Sequence, residues 1–326
     1  MSGESVESPQ DGGPRATSWA EVVRLRTLPA AVAPVILGAG AAAAMGNLSV
    51  VRVLLAAGVA LALQVGCNLA NDYSDGVRGT DDERSGPPRL TASGQVAPGT
   101  VKLAAFVFFG VGALLGLALV VLSGHWWLLI IGAAAIAAAW FYTGGPRPYG
   151  YAGLGEVFVF VFFGLVATVG TTYVQAGTVP GWLWPSACGI GLLACSLLMV
   201  NNLRDIDTDP RHGKMTLAVR LGEQGARCAF SAMLYLPLLL GAVGLLWARD
   251  AGSASPADGG GRVSPLLSLL ISVGVPLLLV PLVRRATAPV RAGARGRDLI
   301  GSLRDAGLLE LAYGIAFAAA TVIITL

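Results

Sequence analysis

The sequence predicts an all-α, multi-pass integral membrane protein with nine transmembrane helices around a central cavity that opens at the cytoplasmic face. Three observations lead there. Of 326 residues, 55% are apolar and only 13% charged, with a mean hydropathy of +0.69, whereas a soluble domain usually carries about 25% charged residues. The apolar residues gather into nine stretches, and a bilayer-crossing helix needs about 20 of them. The basic residues then fall mostly on one side of the alternation, as cytoplasmic connections do. A net charge of +3, with 20 Arg and 2 Lys dispersed along the chain, offers no basic patch for DNA or RNA and excludes nucleic-acid binding.

Residues 1–18, MSGESVESPQDGGPRATS, carry Glu4, Glu7 and Asp11 where a secretory signal would run from a basic start into an apolar stretch. They read as a disordered, uncleaved cytoplasmic tail, followed by a single transmembrane domain over 19–326. The spans are placed at 28–45, 50–71, 100–122, 126–143, 152–176, 181–201, 227–248, 264–283 and 306–326. With the N-terminus inside, 19 of the 22 Lys and Arg lie on inner connections and only Arg52, Arg249 and Arg262 outside, so the C-terminus is expected outside. Gly38, Gly40 and the Ala41–Ala44 run should let helices approach closely. Cys67, Cys188, Cys195 and Cys228 form no CxxC or Cys/His metal spacing and read as small hydrophobes.

Outer links such as 46–49 and 177–180 are short, and 251–261 is small and polar. The inner links 72–99 and 202–226 each begin with carboxylates. The first cluster, CNLANDYSDGVRGTDDER, holds Asn68, Asn71, Asp72, Asp75, Asp81 and Asp82. Continued helically from span 2, positions 68, 72 and 75 share a stripe with 71 beside it. The second, VNNLRDIDTDPRHGK, steps by four through Asn201, Asp205 and Asp209 at the end of span 6. Asn68, Asn71, Asn201 and Asn202 stand at the ends of apolar helices, where an unpaired amide is costly, so they should face a polar cavity. Carboxylates and amide oxygens without Cys or spaced His suit Mg²⁺, which binds through one or two carboxylates, waters and phosphates. That much negative charge makes sense if divalent ions neutralise it and attract a diphosphate.

The pair NDYSD and DIDTD, after spans 2 and 6, resembles the two Asp-rich motifs of the UbiA superfamily of intramembrane prenyltransferases. Within it, RTLPAAVAPV, NDYSDGVRGTDDER followed by GPPRL, YTGGPRPYGYAGLGE and NNLRDIDTDPRHGKMTLAVRLG look like the branch that acts on 1,4-dihydroxy-2-naphthoate in menaquinone synthesis. The resemblance covers roughly residues 20–326. It implies that Asn71, Asp75, Asp205 and Asp209 hold two Mg²⁺ ions bridging the polyprenyl diphosphate, with Asp72 and Asp81 as supporting ligands. The superfamily often has another Asp four residues after Asp75, where Gly79 stands here and Asp81 follows. Lys214 and Arg147 occupy basic positions expected to meet the diphosphate; many relatives carry Lys at the latter, which keeps the charge and alters the geometry.

Among other residues, Asn68, Tyr142, Tyr149 and Glu156 are candidate substrate contacts. The tyrosines and Trp140 could steady allylic positive charge with their π faces or serve as interfacial anchors. Glu156 lies beside the GLGE turn, Glu310 is expected to pair with an Arg, and neither His125 nor His212 is expected to take part. The implied reaction transfers the prenyl group to the naphthoate carbon that bears the carboxyl, releasing diphosphate and CO₂, with Asp75, Asp205 and Lys214 as catalytic residues. Membrane lipid should surround the chain; no sequence feature sets an oligomeric state. Two rival readings are a UbiA-type transferase for 4-hydroxybenzoate, haem or homogentisate, and a cation transporter, whose ion sites usually lie near the midplane rather than at one surface.

Overall fold

The computed structural model describes residues 28–80, 89–253 and 263–325. The expected tail 1–18, Asp81 and most of the 251–261 loop lie outside them. Among the described residues every regular element is helical. The helices are α1 Leu28–Ala44, α2 Val50–Val77, α3 Pro98–Ser123, α4 Leu128–Phe141, α5 Gly155–Ala176, α6 Leu183–Arg204, α7 Leu217–Ser253, α8 Pro265–Arg291 and α9 Ile300–Thr325. Seven of these segments are long and apolar enough to cross a membrane, with a single turn at Gly296–Leu299 preceding α9; α1 and α4 are shorter apolar helices. The chain is therefore an integral membrane protein by length and composition. Residues such as Leu114 at 69% exposure and Leu278 at 76% make sense only against lipid.

Two packed halves flank the interior. The larger joins α1, α6, α7, α8 and α9 through Leu37, Ile190, Phe230, Val283 and Tyr313. The smaller joins α2 and α3 through Val65, Leu69, Ala105 and Phe109, with Trp140 of α4 against it. Because lipid tails are as apolar as Leu, helices here associate through close packing rather than through exclusion of water. Gly40 and Gly314 supply that on the α1–α9 seam: an added Cβ would lie 2.5 Å from the Ala318 Cβ and 2.6 Å from the Ala33 carbonyl oxygen respectively. On the α5–α6 seam a Cβ at Gly164 would come within 2.4 Å of the Gly191 Cα.

Three departures from the sequence reading follow from local physics. α2 runs on to Val77, past the span end placed at residue 71, so the first acidic motif is helical as the continuation of span 2 assumed. α5 passes through a π-helical stretch at Phe160–Val166, which shifts its side chains round the axis in a way that no residue pattern announces. α7 begins at Leu217, ten residues before the expected start, and breaks at Gly222 (φ 70°, ψ 166°), a conformation open essentially only to glycine. Arg52, an exception to the basic asymmetry, closes the end of the bundle away from the acidic motifs by donating to the Val174 and Leu122 carbonyls at 2.9 and 2.6 Å.

Candidate active site

α2 and α6 finish at the same end of the bundle, and the segments that follow fold back so that the two acidic motifs meet. A single turn at Asp209–His212 and Gly213 in the left-handed region (φ 71°) reverse the chain, and the Lys214 amide donates to the Asp209 carbonyl at 2.9 Å. Lys214 Nζ thereby stands 3.8 Å from Asp75 Oδ2 and 3.7 Å from Asp209 Oδ1. One ammonium spans the two motifs.

Several of the neighbouring acids and amides are held by named partners. Tyr151 Oη donates to Asp75 Oδ1 at 2.8 Å and lies 3.0 Å from Thr80 Oγ1, with Lys214 and Arg78 over its ring at 5.7 and 5.5 Å. Burial first, and then the charge of Asp75, push the Tyr151 hydroxyl above its usual range, so it stays a donor. Thr143 Oγ1 donates to Asn71 Oδ1 at 2.8 Å. Arg204 donates to both Asp205 oxygens at 2.9 and 2.7 Å and to Asn201 Oδ1 at 3.0 Å. Asn202 Nδ2 donates to Glu156 Oε1 at 3.2 Å.

Beneath this end lies a cavity of about 340 Å³, lined at its polar end by Asn68, Asn71, Asp75, Arg89, Asn201, Asn202, Asp205 and Lys214. Its α2 lining runs from Asp75 back to Ala56, a rise of roughly 28 Å at about 1.5 Å per residue. That nearly equals the hydrocarbon thickness. The depth is apolar, faced by Leu119 and Leu128 from α3 and α4 and by Phe162 and Phe163 from the π-helical stretch of α5. Tyr142 and Tyr149 line the cavity; Tyr149 Oη is tied to the Ala138 carbonyl at 2.7 Å and its ring stacks on Phe158 at 3.9 Å. Trp140 instead packs outside it, against Phe106 and Tyr73.

Four expectations need correcting or relocating. Asp72 is fully buried away from the cavity, its two oxygens accepting the Leu90 and Thr91 amides at 3.1 and 3.0 Å. It anchors the turn that carries Arg89 instead of facing an ion. At about 100° per residue, Asn68, Asn71, Asp72 and Asp75 occupy one arc of α2; the cavity takes Asn71's side of it, because α3 and the 89–91 turn cover the other. Arg147 is exposed and does not line the cavity; Arg78 meets that loop instead, donating to the Thr143 and Gly145 carbonyls. Glu156 is buried one layer back, behind Asn202. Among the described residues Glu310 is not paired with an Arg: Arg285 and Arg304 go to Asp305, and Glu310 lines the cavity. Asp81 lies outside the described residues.

Sequence reading missed Tyr151, Thr143, Arg89 and Arg204 as site residues. Arg89 had a signal in GPPRL and Tyr151 in YTGGPRPYGYAGLGE, but neither segment says which side chain turns inward. Among the described residues no three acidic, His or Cys side chains form a ready metal cage. The donor set still fits Mg²⁺: carboxylates and amides on two walls, with an ammonium between, match ions that complete their shells from water and phosphate oxygens.

The UbiA prenyltransferase family model matches residues 31–280. A 1,4-dihydroxy-2-naphthoate octaprenyltransferase of Mycobacterium tuberculosis (strain ATCC 25618 / H37Rv) is 46% identical over 93% of this chain and 96% of its own. The enzyme of that name from Escherichia coli (strain K12) is 43% identical over 68% and 73%. Among solved structures, a UbiA homolog from Archaeoglobus fulgidus bound to DMAPP and Mg²⁺ superimposes with a TM-score of 0.61 at 15% identity, covering 93% of this chain and 99% of that one, a likeness of fold. With the two acidic motifs joined over a membrane-deep cavity and a family match that spans most of its length, the chain belongs to the UbiA prenyltransferase family.

Proposed function

We propose that this chain is a Mg²⁺-dependent membrane enzyme that transfers a polyprenyl group from polyprenyl diphosphate to 1,4-dihydroxy-2-naphthoate, releasing diphosphate and CO₂ and forming demethylmenaquinone. The observation that carries the reading is Lys214 spanning Asp75 and Asp209 above an apolar cavity. That is a diphosphate-sized polar end on a lipid-like shaft. Moving a prenyl tail from lipid into an apolar shaft changes its environment little, so affinity and orientation must come from the polar end. The relatives named for the naphthoate support that acceptor over 4-hydroxybenzoate or homogentisate.

Asn71, Asp75, Asp205 and Asp209 are the residues that would hold two Mg²⁺ ions, which supply positive charge to the diphosphate and favour its departure. Lys214 adds a fixed cation at the same place, and Tyr151 and Thr143 aim Asp75 and Asn71. Arg89, buried on the cavity wall, is a further cation for the diphosphate or the acceptor carboxylate. Tyr142 and Tyr149 present ring faces where the allylic carbon would gain positive charge. The narrow apolar walls keep water from that carbon.

We read all nine helices as crossing the bilayer, with the N-terminus and the cavity mouth cytoplasmic, the C-terminus outside and 19–326 as one domain, on the strength of the basic asymmetry. The test is acceptor choice. Purified protein given a polyprenyl diphosphate and Mg²⁺ should prenylate 1,4-dihydroxy-2-naphthoate and leave 4-hydroxybenzoate and homogentisate unchanged. Equal or faster prenylation of either of those would overturn the assignment.

A further inference from the structure

Three acids line the cavity among the described residues: Asp75, Asp205 and Glu310. The first two are engaged, Asp75 by Tyr151 and Lys214 and Asp205 by Arg204. Glu310 is different. It is fully buried, and among the described residues neither carboxylate oxygen has a hydrogen-bond partner. It stands ten residues into α9, roughly 15 Å along the axis from Ile300, whereas Asp75 is two residues from the end of α2. The cavity wall beyond its polar end is mostly apolar, with Ala31, Ala194 and Leu197 among its residues. A carboxyl group without a partner in such surroundings costs a few kcal/mol, and a ligand hydroxyl that donates to it offsets that cost and favours the ionised form that can accept a proton.

We infer that Glu310 is the proton acceptor for the ring hydroxyl next to the carboxyl-bearing carbon of the aromatic acceptor. The inference rests on the proposed naphthoate reaction. Glu310 takes the hydroxyl proton, which raises electron density at the neighbouring ring carbon. That carbon forms its bond to the allylic carbon while the allylic C–O bond breaks and the diphosphate leaves with the electron pair. The ring–carboxylate bond then cleaves, CO₂ departs, and the electrons left behind restore the aromatic ring as a naphtholate. Glu310 returns its proton to that oxygen. The proton is borrowed and given back, so no oxidant, reductant or outside acid is required.

The test compares wild type, Glu310→Gln and Glu310→Asp in proteoliposomes with a polyprenyl diphosphate, using the naphthoate or its methyl ether at that hydroxyl. Glu310→Gln should lower kcat by about 10²–10⁴-fold, the usual range for a positioned proton acceptor, with KM for the diphosphate nearly unchanged. Glu310→Asp should recover part of the rate. The methyl ether should be slow with wild type and no slower with Glu310→Gln, since each change removes the same proton transfer. Thermal denaturation of each variant checks folding, and wild type with the two acceptors tests the idea even where a variant unfolds. Turnover of Glu310→Gln within about threefold of wild type, or an ether as fast as the naphthoate on wild type, overturns the role of Glu310 alone. Wild type that prenylates no naphthoate overturns the reaction itself.

Discussion

Replacing Lys214 by Met keeps the stem and removes the charge that joins the two acidic motifs. The contacts at 3.8 and 3.7 Å are longer than hydrogen bonds, so they act as charge against charge. A unit pair at about 4 Å interacts by ~1 kcal/mol in water and ~4 kcal/mol at an effective permittivity of about 20. With its side chain 15% exposed, Lys214 lies between those limits. In turnover the same ammonium faces the departing diphosphate, whose bridging oxygen gains negative charge as the C–O bond breaks. A loss of about 2.7–4 kcal/mol, or 10²–10³-fold in kcat, follows for one such electrostatic group. The assay is steady-state formation of prenylated naphthoquinol in proteoliposomes, varying each substrate. Because the contact strengthens in the transition state, kcat should fall while KM for the naphthoate moves little. A sharp rise in that KM with kcat nearly preserved would refute the reasoning and make Lys214 an acceptor contact.

Chelation with EDTA should abolish turnover and added Mg²⁺ restore it; full activity in metal-free buffer contradicts the ion-holding role of the acidic motifs. Asp75→Asn should cost at least about a hundredfold in kcat with a melting temperature near wild type, because Asp75 sits at the polar end of the cavity. Asp72→Asn should do the reverse, costing about 1–3 kcal/mol of stability through loss of one backbone acceptor in a buried site and so lowering the melting temperature, while the metal dependence of turnover stays as in wild type. Single cysteines at Asn47 and Ser93, both exposed, in a background without the four native cysteines should label from opposite faces of sealed vesicles, Ser93 from the cytoplasmic one; labelling from one face overturns the topology.

The helices were legible because a bilayer imposes one length and one composition on whatever crosses it. Their ends were less so. The acidic motif lies beyond the span end placed at residue 71, and the helix continues through it to Val77, where Asn71 and Asp75 meet Thr143, Tyr151 and Lys214. At the site, residue spacing placed Asn68, Asp72 and Asp75 on one stripe with Asn71 beside it but could not say which edge looks inward; that depends on the 89–91 turn, whose amides claim Asp72. Arg147 was placed by likeness of motif, while the charge that reaches the loop comes from Arg78. Glu310 was the hardest to read. An acid among apolar residues looks the same in sequence whether it pairs with an Arg or faces a cavity; the folded chain puts Glu310 in the cavity lining and gives Arg285 and Arg304 to Asp305.

The account stands most directly on the fate of the acceptor's carboxyl group. Wild-type protein in proteoliposomes, given 1,4-dihydroxy-2-naphthoate labelled with ¹⁴C in the carboxyl group, a polyprenyl diphosphate and Mg²⁺, should release labelled CO₂, diphosphate and prenylated naphthoquinol in equal amounts. A prenylated product that retains the label, or CO₂ released without diphosphate, would contradict it.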